Sequence, residues 1–337
     1  MKYLPLGKLK FELLEKLLNK YPSRNDSRLV VGPKIGEDAV VIDFEDRYLV
    51  AKTDPVTLAT DEIGFYAVNV NANDIAIRGA KPKWFQSTIL LPERKTTEKL
   101  VDRIFNQISS ACNELEITVG GGHTEISYGL DRPIVVGSML GEVKKEKLVT
   151  TSGAKVGDYI ILTKGIVIEG TSIIARERYD ELIARAFPQD FIERAKNYIH
   201  DPGISVVKDA LIANKYKVNA MHDPTEGGLA TGIYEMMRAS NKGALIYRDK
   251  IPVLDESKIL CNEFNLNLLN TITSGTLLLA ANPLNAEKIL NLYKKNNIKA
   301  SKIGEVKEKD YGLKIVEKNK VLDLKFSEKD EITKIFE

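Results

Sequence analysis

The sequence predicts a mixed α/β protein (α+β in detail) built as two domains. The chain has 337 residues, more than one hydrophobic core usually serves. Both halves mix short β-type runs with helical apolar spacing. Between them, residues 150–158 (TTSGAKVGD) are polar and turn-rich. The expected division is therefore 1–150 and 151–337.

Taken in order, Leu6, Leu9, Leu13, Leu14, Leu17 and Leu18 form one helical stripe, ending at Tyr21-Pro22. Residues 28–31 suit a short strand that enters a glycine-rich loop, 32–38 (GPKIGED). AVVIDF, a turn at Glu45-Asp46 and YLVAKTD make a hairpin, with Asp54 at its exit. Ile63, Ala67, Val70 and Ile77 recur at helical steps, and the helix stops at Gly79-Ala80-Lys81-Pro82. A strand at 84–91, a helix carrying Leu100, Ile104, Ile108, Ala111 and Leu115, and a strand at 117–119 running into the glycines 120–122 follow. Residues 133–140 make another strand. In the second half, strands are expected at 159–163, 244–247, 276–280 and 301–306. Helices are expected over 176–196, around Ile204–Ile212, from Leu229 to Met237, and at 257–264 and 285–294. No short-period repeat or low-complexity segment interrupts this pattern.

Composition narrows the function. Hydrophobic residues make up 43% and charged residues 28%, values of an ordinary folded protein. A net charge of +2 gives no general attraction to nucleic acid or an anionic membrane. Cys112 and Cys261 lie in apolar helical patterns outside any C-x-x-C or Cys/His cluster, which argues against disulfides and structural zinc. No run of 18 apolar residues occurs, and charges interrupt the N-terminal segment, so a cytoplasmic protein is expected.

The chemistry concentrates at element ends. Asn69, Asn71, Asn73 and Asp74 interrupt an otherwise apolar helix, although Asn and Asp are mediocre helix formers. Burying an unpaired amide costs roughly 2–7 kcal/mol. Something polar, a ligand or a satisfied buried network, must meet this helix. Asp38, Asp54, Asn73/Asp74, Glu125 and Asp223 all stand at element ends in polar or glycine-rich surroundings. Gathered together, such carboxylates would repel one another, and a hard cation such as Mg²⁺, which also binds phosphates, would relieve that. The glycines at 32–36 and 120–122 could offer N–H groups to phosphate oxygens. No G-x-x-x-x-G-K-[ST] or strand-following G-x-G-x-x-G is present. Each piece also has a plain structural reading: a turn at Asp38 or Asp54, a helix start at Asp223-Pro224-Thr225. His123 and His222 lie in polar, glycine-rich segments, either functional or structural, while His200 is structural. A zinc site lacks a third spaced ligand, and a serine hydrolase lacks its G-x-S-x-G.

The ordered set Gly32-Pro33-Lys34-Ile35-Gly36-Glu37-Asp38-Ala39, Lys52-Thr53-Asp54, Val70–Ala76 with Gly79-Ala80-Lys81-Pro82, Gly121-Gly122-His123-Thr124-Glu125 and His222–Leu229 resembles the aminoimidazole-ribonucleotide (AIR) synthase superfamily, and within it the HypE branch of hydrogenase maturation proteins. The resemblance covers nearly the whole chain. It implies an N-terminal α/β domain that dimerises so that strands of two subunits close a barrel, with a C-terminal α+β domain beside it. It implies ATP and Mg²⁺ in a cleft at the dimerised domains. By motif, Asp38, Asp54, Asp74 and Asp223 would hold the metal or meet phosphates. Asp74, Asp223 and His123 would serve the chemistry. Gly36, Asn73, Gly121, Gly122, Thr124 and Gly227 would line the nucleotide, and Lys8 could close over its phosphates. The resemblance also has departures. HypE carries a C-terminal cysteine that accepts a carbamoyl group; this sequence ends EITKIFE, and Cys261 lies inside a helical pattern. The expected function is ATP- and Mg²⁺-dependent phosphoryl transfer that activates an oxygen of a small molecule or amide, without a cysteine tail as acceptor. The alternatives are a small-metabolite kinase of the thiamine-monophosphate kinase type and a nucleotide-binding maturation partner without catalysis. Acceptor specificity is expected around residues 164–171 and 273–276.

Overall fold

A computed structural model describes residues 9–22, 24–57, 61–327 and 329–336. Lys8 lies outside the described residues. The first half holds α1 (Phe11–Lys20), strands β1 (Leu29–Val31), β2 (Val40–Phe44) and β3 (Arg47–Val56), α2 (Ile63–Ala76), β4 (Lys81–Pro92), α3 (Glu98–Glu114), β5 (Thr118–Ser127) and β6 (Ile134–Lys144). Its six strands form one sheet in the order β1-β2-β3-β6-β4-β5, antiparallel except for the β4–β5 pair. The second half opens with β7 (Tyr159–Thr163) and α4 (Ile168–Glu177), followed by α5 (Tyr179–Ala184), α6 (Gln189–Lys196) and α7 (Val207–Ala213). Then come β8 (Ala220–His222), α8 (Gly228–Ser240), β9 (Gly243–Tyr247), α9 (Asp255–Glu263), β10 (Leu278–Ala281), α10 (Pro283–Lys295), β11 (Ala300–Lys307), β12 (Leu313–Glu317) and β13 (Lys320–Asp323). Its seven strands are ordered β13-β12-β9-β11-β7-β10-β8.

The central strand β6 shows why the first sheet has two unlike faces. Val135, Gly137, Met139, Gly141 and Val143 are buried, and the residues between them are half-buried. This is the two-residue period of a strand with one face covered. The two glycines let α2 lie directly on β6: a Cβ at Gly137 would stand 2.3 Å from Asn71 Nδ2, and one at Gly141 2.3 Å from Ile75 Cγ2. The opposite face leaves Trp84 and Phe44 exposed. α2 itself is buried all round rather than along one stripe, and Asn69, Asn71, Asn73 and Asp74 are all buried with it.

Three expectations are corrected. The glycines 120–122 are not a loop: β5 runs through them as an exposed edge strand, paired with β4 from Thr118 to Ser127. A Cβ at Gly122 would meet Ser87 O at 2.1 Å, so glycine permits this close pairing. The single charged helix over 176–196 is broken into the end of α4, α5 and α6, with Ala186 at φ 62 and Pro188 before α6. Asn73 does not face a ligand space. Its Nδ2 donates to Ile204 O (2.9 Å) and its Oδ1 accepts from the Val206 N–H (2.8 Å), which ties α2 to the segment before α7.

That clamp sits in a hydrophobic core continuous between the halves, with Ile75 and Ala76 on one side and Val206, Val207 and Ala210 on the other. Asn214 adds a second tie, donating to Lys147 O at 2.8 Å. Replacing Asn73 by Ala strands a buried carbonyl and a buried N–H. Each unsatisfied group costs about 1–3 kcal/mol, so urea denaturation of N73A should show a loss of at least about 1 kcal/mol on the same scale.

Candidate functional site

The acidic motifs meet where the loop before β2, strand β3, the end of α2 and the end of β8 converge. Gly36 makes the approach of that loop possible. Its φ is +84, and a Cβ there would lie 3.2 Å from Glu235 O and 3.3 Å from Ala239 Cβ, so the turn seats on α8. Glu37 and Asp38 then point inward. Lys52 and Asp54, two residues apart on β3, share one side of the strand. Asp74 lies in the last turn of α2, where the helix dipole disfavours a negative charge. His222 ends β8 and Asp223 follows it.

Two basic residues are set among these carboxylates, a feature that the spacing of the acidic motifs did not show. Arg78 is completely buried. Its guanidinium lies 2.6 Å from Glu37 Oε2 and 3.5 Å from Asp38 Oδ2, and it donates to Thr151 Oγ1 at 2.9 Å. Lys52 Nζ lies 2.8 Å from Asp74 Oδ2 and 3.9 Å from Asp54 Oδ2. His222 stands between Asp38 (Nδ1 to Oδ2, 3.2 Å) and Glu235 (Nε2 to Oε2, 2.8 Å). Asp223 is buried, and its Oδ1 has no hydrogen-bond partner among the described residues.

Six carboxylates (Glu37, Asp38, Asp54, Asp74, Asp223, Glu235) thus surround two permanent cations, Lys52 and Arg78, and one histidine. Their titration follows from this imbalance. Burial raises Asp74 to about 6, against the pull of Lys52. Burial, and then the charges of Asp74 and Asp38, push Asp223 well above the usual carboxylate range. Burial would also raise Asp38, but His222, Arg78 and Lys52 outweigh it and hold Asp38 low. Burial would lower His222, yet Asp38 and Glu235 hold it well above its ordinary value. One ligand atom each from Asp38, His222 and Asp223 lie within 4.8 Å of one another, a spacing suited to a shared cation.

Of the residues singled out from the sequence, Asp38, Asp74 and Asp223 are brought together, with Asp54 at the more exposed edge. Others are not. His123 is exposed on β5, where it meets Glu125 at 3.0 Å. It lines a groove on the open face with Thr53, Gln86, Thr88 and Ser138, while Asp74 lies under the covered face. In one chain His123 therefore does not share a site with Asp74 and Asp223. Gly121, Gly122 and Thr124 ride on the same edge strand, three strand positions from β3, or about 14 Å at the usual inter-strand spacing. The Gly227 N–H is engaged within the chain, donating to Asp330 Oδ2 at 2.6 Å, and so does not face a nucleotide. Lys52, Arg78, Glu37 and Glu235 were missed. Lys52 left a usable signal, since it stands two positions before Asp54 on a strand.

A second polar nest lies where residues 164–171 meet 273–276. Glu169, in the first turn of α4, is buried, and its Oε2 has no partner among the described residues. Burial raises it to about 7, against the hydroxyl of Ser274 and with help from the charges of Glu226 and Asp330. The native state then keeps a proton that the unfolded chain releases between about 4.5 and 7. Stability therefore falls as pH rises through that window and levels off above it. Glu169→Gln should lose this component. Its stability relative to the unchanged chain should rise between pH 4.5 and 8, by at most about 3 kcal/mol, as read by urea denaturation at each pH.

Comparison with known proteins follows the same two halves. Residues 36–143 match the family model "AIR synthase related protein, N-terminal domain", and residues 155–316 match its C-terminal domain. A protein of Methanocaldococcus jannaschii, provisionally assigned to hydrogenase expression/formation, is 28% identical over 296 residues, 86% of this chain and 84% of the relative. Carbamoyl dehydratase HypE of Cupriavidus necator is 26% identical over 258 residues, 75% of this chain and 70% of that protein. The solved structure of AaThiL complexed with AMPPCP and TMP superposes with a TM-score of 0.74 at 21% identity, covering 94% of this chain and 96% of that one. The two matched domains and the shared two-domain α/β fold lead to one conclusion: this chain belongs to the AIR synthase related protein family.

Proposed function

We propose that this protein is an ATP- and magnesium-dependent phosphoryl-transfer enzyme whose cation and phosphates occupy the carboxylate cleft between the two halves. The observation that carries the reading is the buried Asp223 Oδ1, which has no partner among the described residues and feels the charges of Asp74 and Asp38. An uncompensated buried charge is costly, and this cluster is short of positive charge. A divalent ion fits that deficit, and Asp38, Asp54, Asp74 and Asp223 would hold it. Magnesium bound there would neutralise charge on phosphate oxygens, the main requirement of phosphoryl transfer. Lys52, between Asp54 and Asp74, keeps those two carboxylates apart in charge and offers its ammonium at the cleft. Arg78 fixes Glu37 and Asp38 from beneath. The relatives support the same class, one named a carbamoyl dehydratase and one solved with a nucleotide analogue.

The acceptor would be an oxygen of a small molecule or an amide, received near Glu169 and Ser274. A homodimer is part of the proposal. The open face of the first sheet presents apolar side chains such as Trp84 and Phe44, and β5 leaves an edge for a second copy. That copy would offer its own His123 strand near the cleft.

Calorimetry of the full chain with Mg-ATP tests the proposal. Binding should weaken at least about tenfold in Asp74→Asn and Asp54→Ala, with folding retained by circular dichroism. Unchanged binding in both would refute it. A screen of acceptors for ADP alone, or for ADP with phosphate, separates a kinase from a dehydratase.

A further inference from the structure

His222 distinguishes this cleft from an all-oxygen cation site. It is 3% exposed, and its Nε2 lies 2.8 Å from Glu235 Oε2. That contact assigns an N–H to Nε2 and turns Nδ1 toward Asp38 and Asp223. Nδ1 is 3.2 Å from Asp38 Oδ2, yet it makes no aligned hydrogen bond among the described residues. Asp223 Oδ1, also buried, lacks one too. Adjacent residues thus each carry a buried polar atom without a partner among the described residues, and one ligand atom of each lies within 4.8 Å of the other and of one from Asp38. Ligand atoms about 2.1 Å from a shared ion stand up to about 4.2 Å apart. Atoms already within 4.8 Å need only a small closure to reach that arrangement.

We propose that His222 Nδ1 is a metal ligand in this site, oriented by Glu235, so that the site accepts an imidazole-binding divalent ion such as zinc or manganese beside magnesium. The inference rests on the reading that the cleft holds a divalent cation, and it adds which nitrogen joins the ligands. Imidazole suits zinc and the later ions of the first transition series and is accepted by manganese, whereas magnesium favours oxygen ligands and retains water. The Glu235–His222 pair has the form of an outer carboxylate holding a ligating imidazole in register, an arrangement that raises ligand basicity. A divalent cation at Nδ1 displaces the proton facing Asp38 and adds one net positive charge, which a second carboxylate, Asp223, would offset.

Pulsed electron paramagnetic resonance on the full chain with Mn²⁺ alone tests this directly. Bound Mn²⁺ should show nitrogen modulation of imidazole type, and His222→Gln should abolish it. By titration, Mn²⁺ affinity should fall at least about tenfold in His222→Gln and about 10–100-fold in Glu235→Gln. Mg²⁺ affinity should change less than about threefold in His222→Gln. Bound Mn²⁺ without nitrogen modulation would overturn the inference and leave His222 as an ion-paired cation between Asp38 and Glu235. Mg-ATP binding would survive that outcome. Absence of Mn²⁺ binding would also overturn it, and loss of Mg-ATP binding as well would remove the broader reading. The spectrum of the unsubstituted chain decides the matter even where a variant fails to fold.

Discussion

Asp223 turns a carboxylate oxygen into a buried space where the described residues supply it no donor. Much of the molecule serves to hold that arrangement in place. Asp38 approaches that space from the loop before β2, and the charges of Asp74 and Asp38 add to the burden on Asp223. Lys52 and Arg78 offset part of the negative charge but stay paired to carboxylates of the first half. Removing charges from water costs several kcal/mol per ion even after relaxation. A fold that places six carboxylates around two fixed cations sacrifices stability at this point. Such a sacrifice is typical of a site kept for a ligand.

The architecture explains how the groups are held. Gly137 and Gly141 let α2 settle onto β6, which buries the helix on all sides and carries Asp74 to the cleft. Asn73, one residue earlier, points to the other half and clamps the Ile204–Val206 backbone. A fully buried Arg78 links the first loop to Thr151 at the start of the second half. Neighbouring polar residues on one helix thus divide the work. Asp74 faces the cleft, and Asn73 fixes the position of the half that brings His222 and Asp223.

Much of this was legible in the sequence, because local spacing and glycine placement carry it. The β2–β3 hairpin, the helix with four Asn and Asp residues, and the acidic motifs at Asp38, Asp54, Asp74 and Asp223 all follow from neighbours in the chain. The family resemblance joined them. Features that depend on distant partners were not legible. Asn73 looked like a ligand residue because its partners lie 131 and 133 positions away. Gly227 suggested a phosphate contact, but Asp330 takes its N–H. The pairing of His222 with Asp38 was hidden because Asp38 reaches it from the other half. The glycines 120–122 suggested a loop, and pairing with β4 made them a strand. Local propensity is weak there, and the sheet edge decides.

The central claim is that the space beside Asp223 is a cation site serving phosphates. Anomalous diffraction from crystals grown with Mn²⁺ and a non-hydrolysable ATP analogue tests it most directly. The expected result is a manganese peak at the cluster of Asp38, His222 and Asp223, with phosphate oxygens on its open side. Analogue phosphates bound elsewhere, with no peak at this cluster, would contradict it.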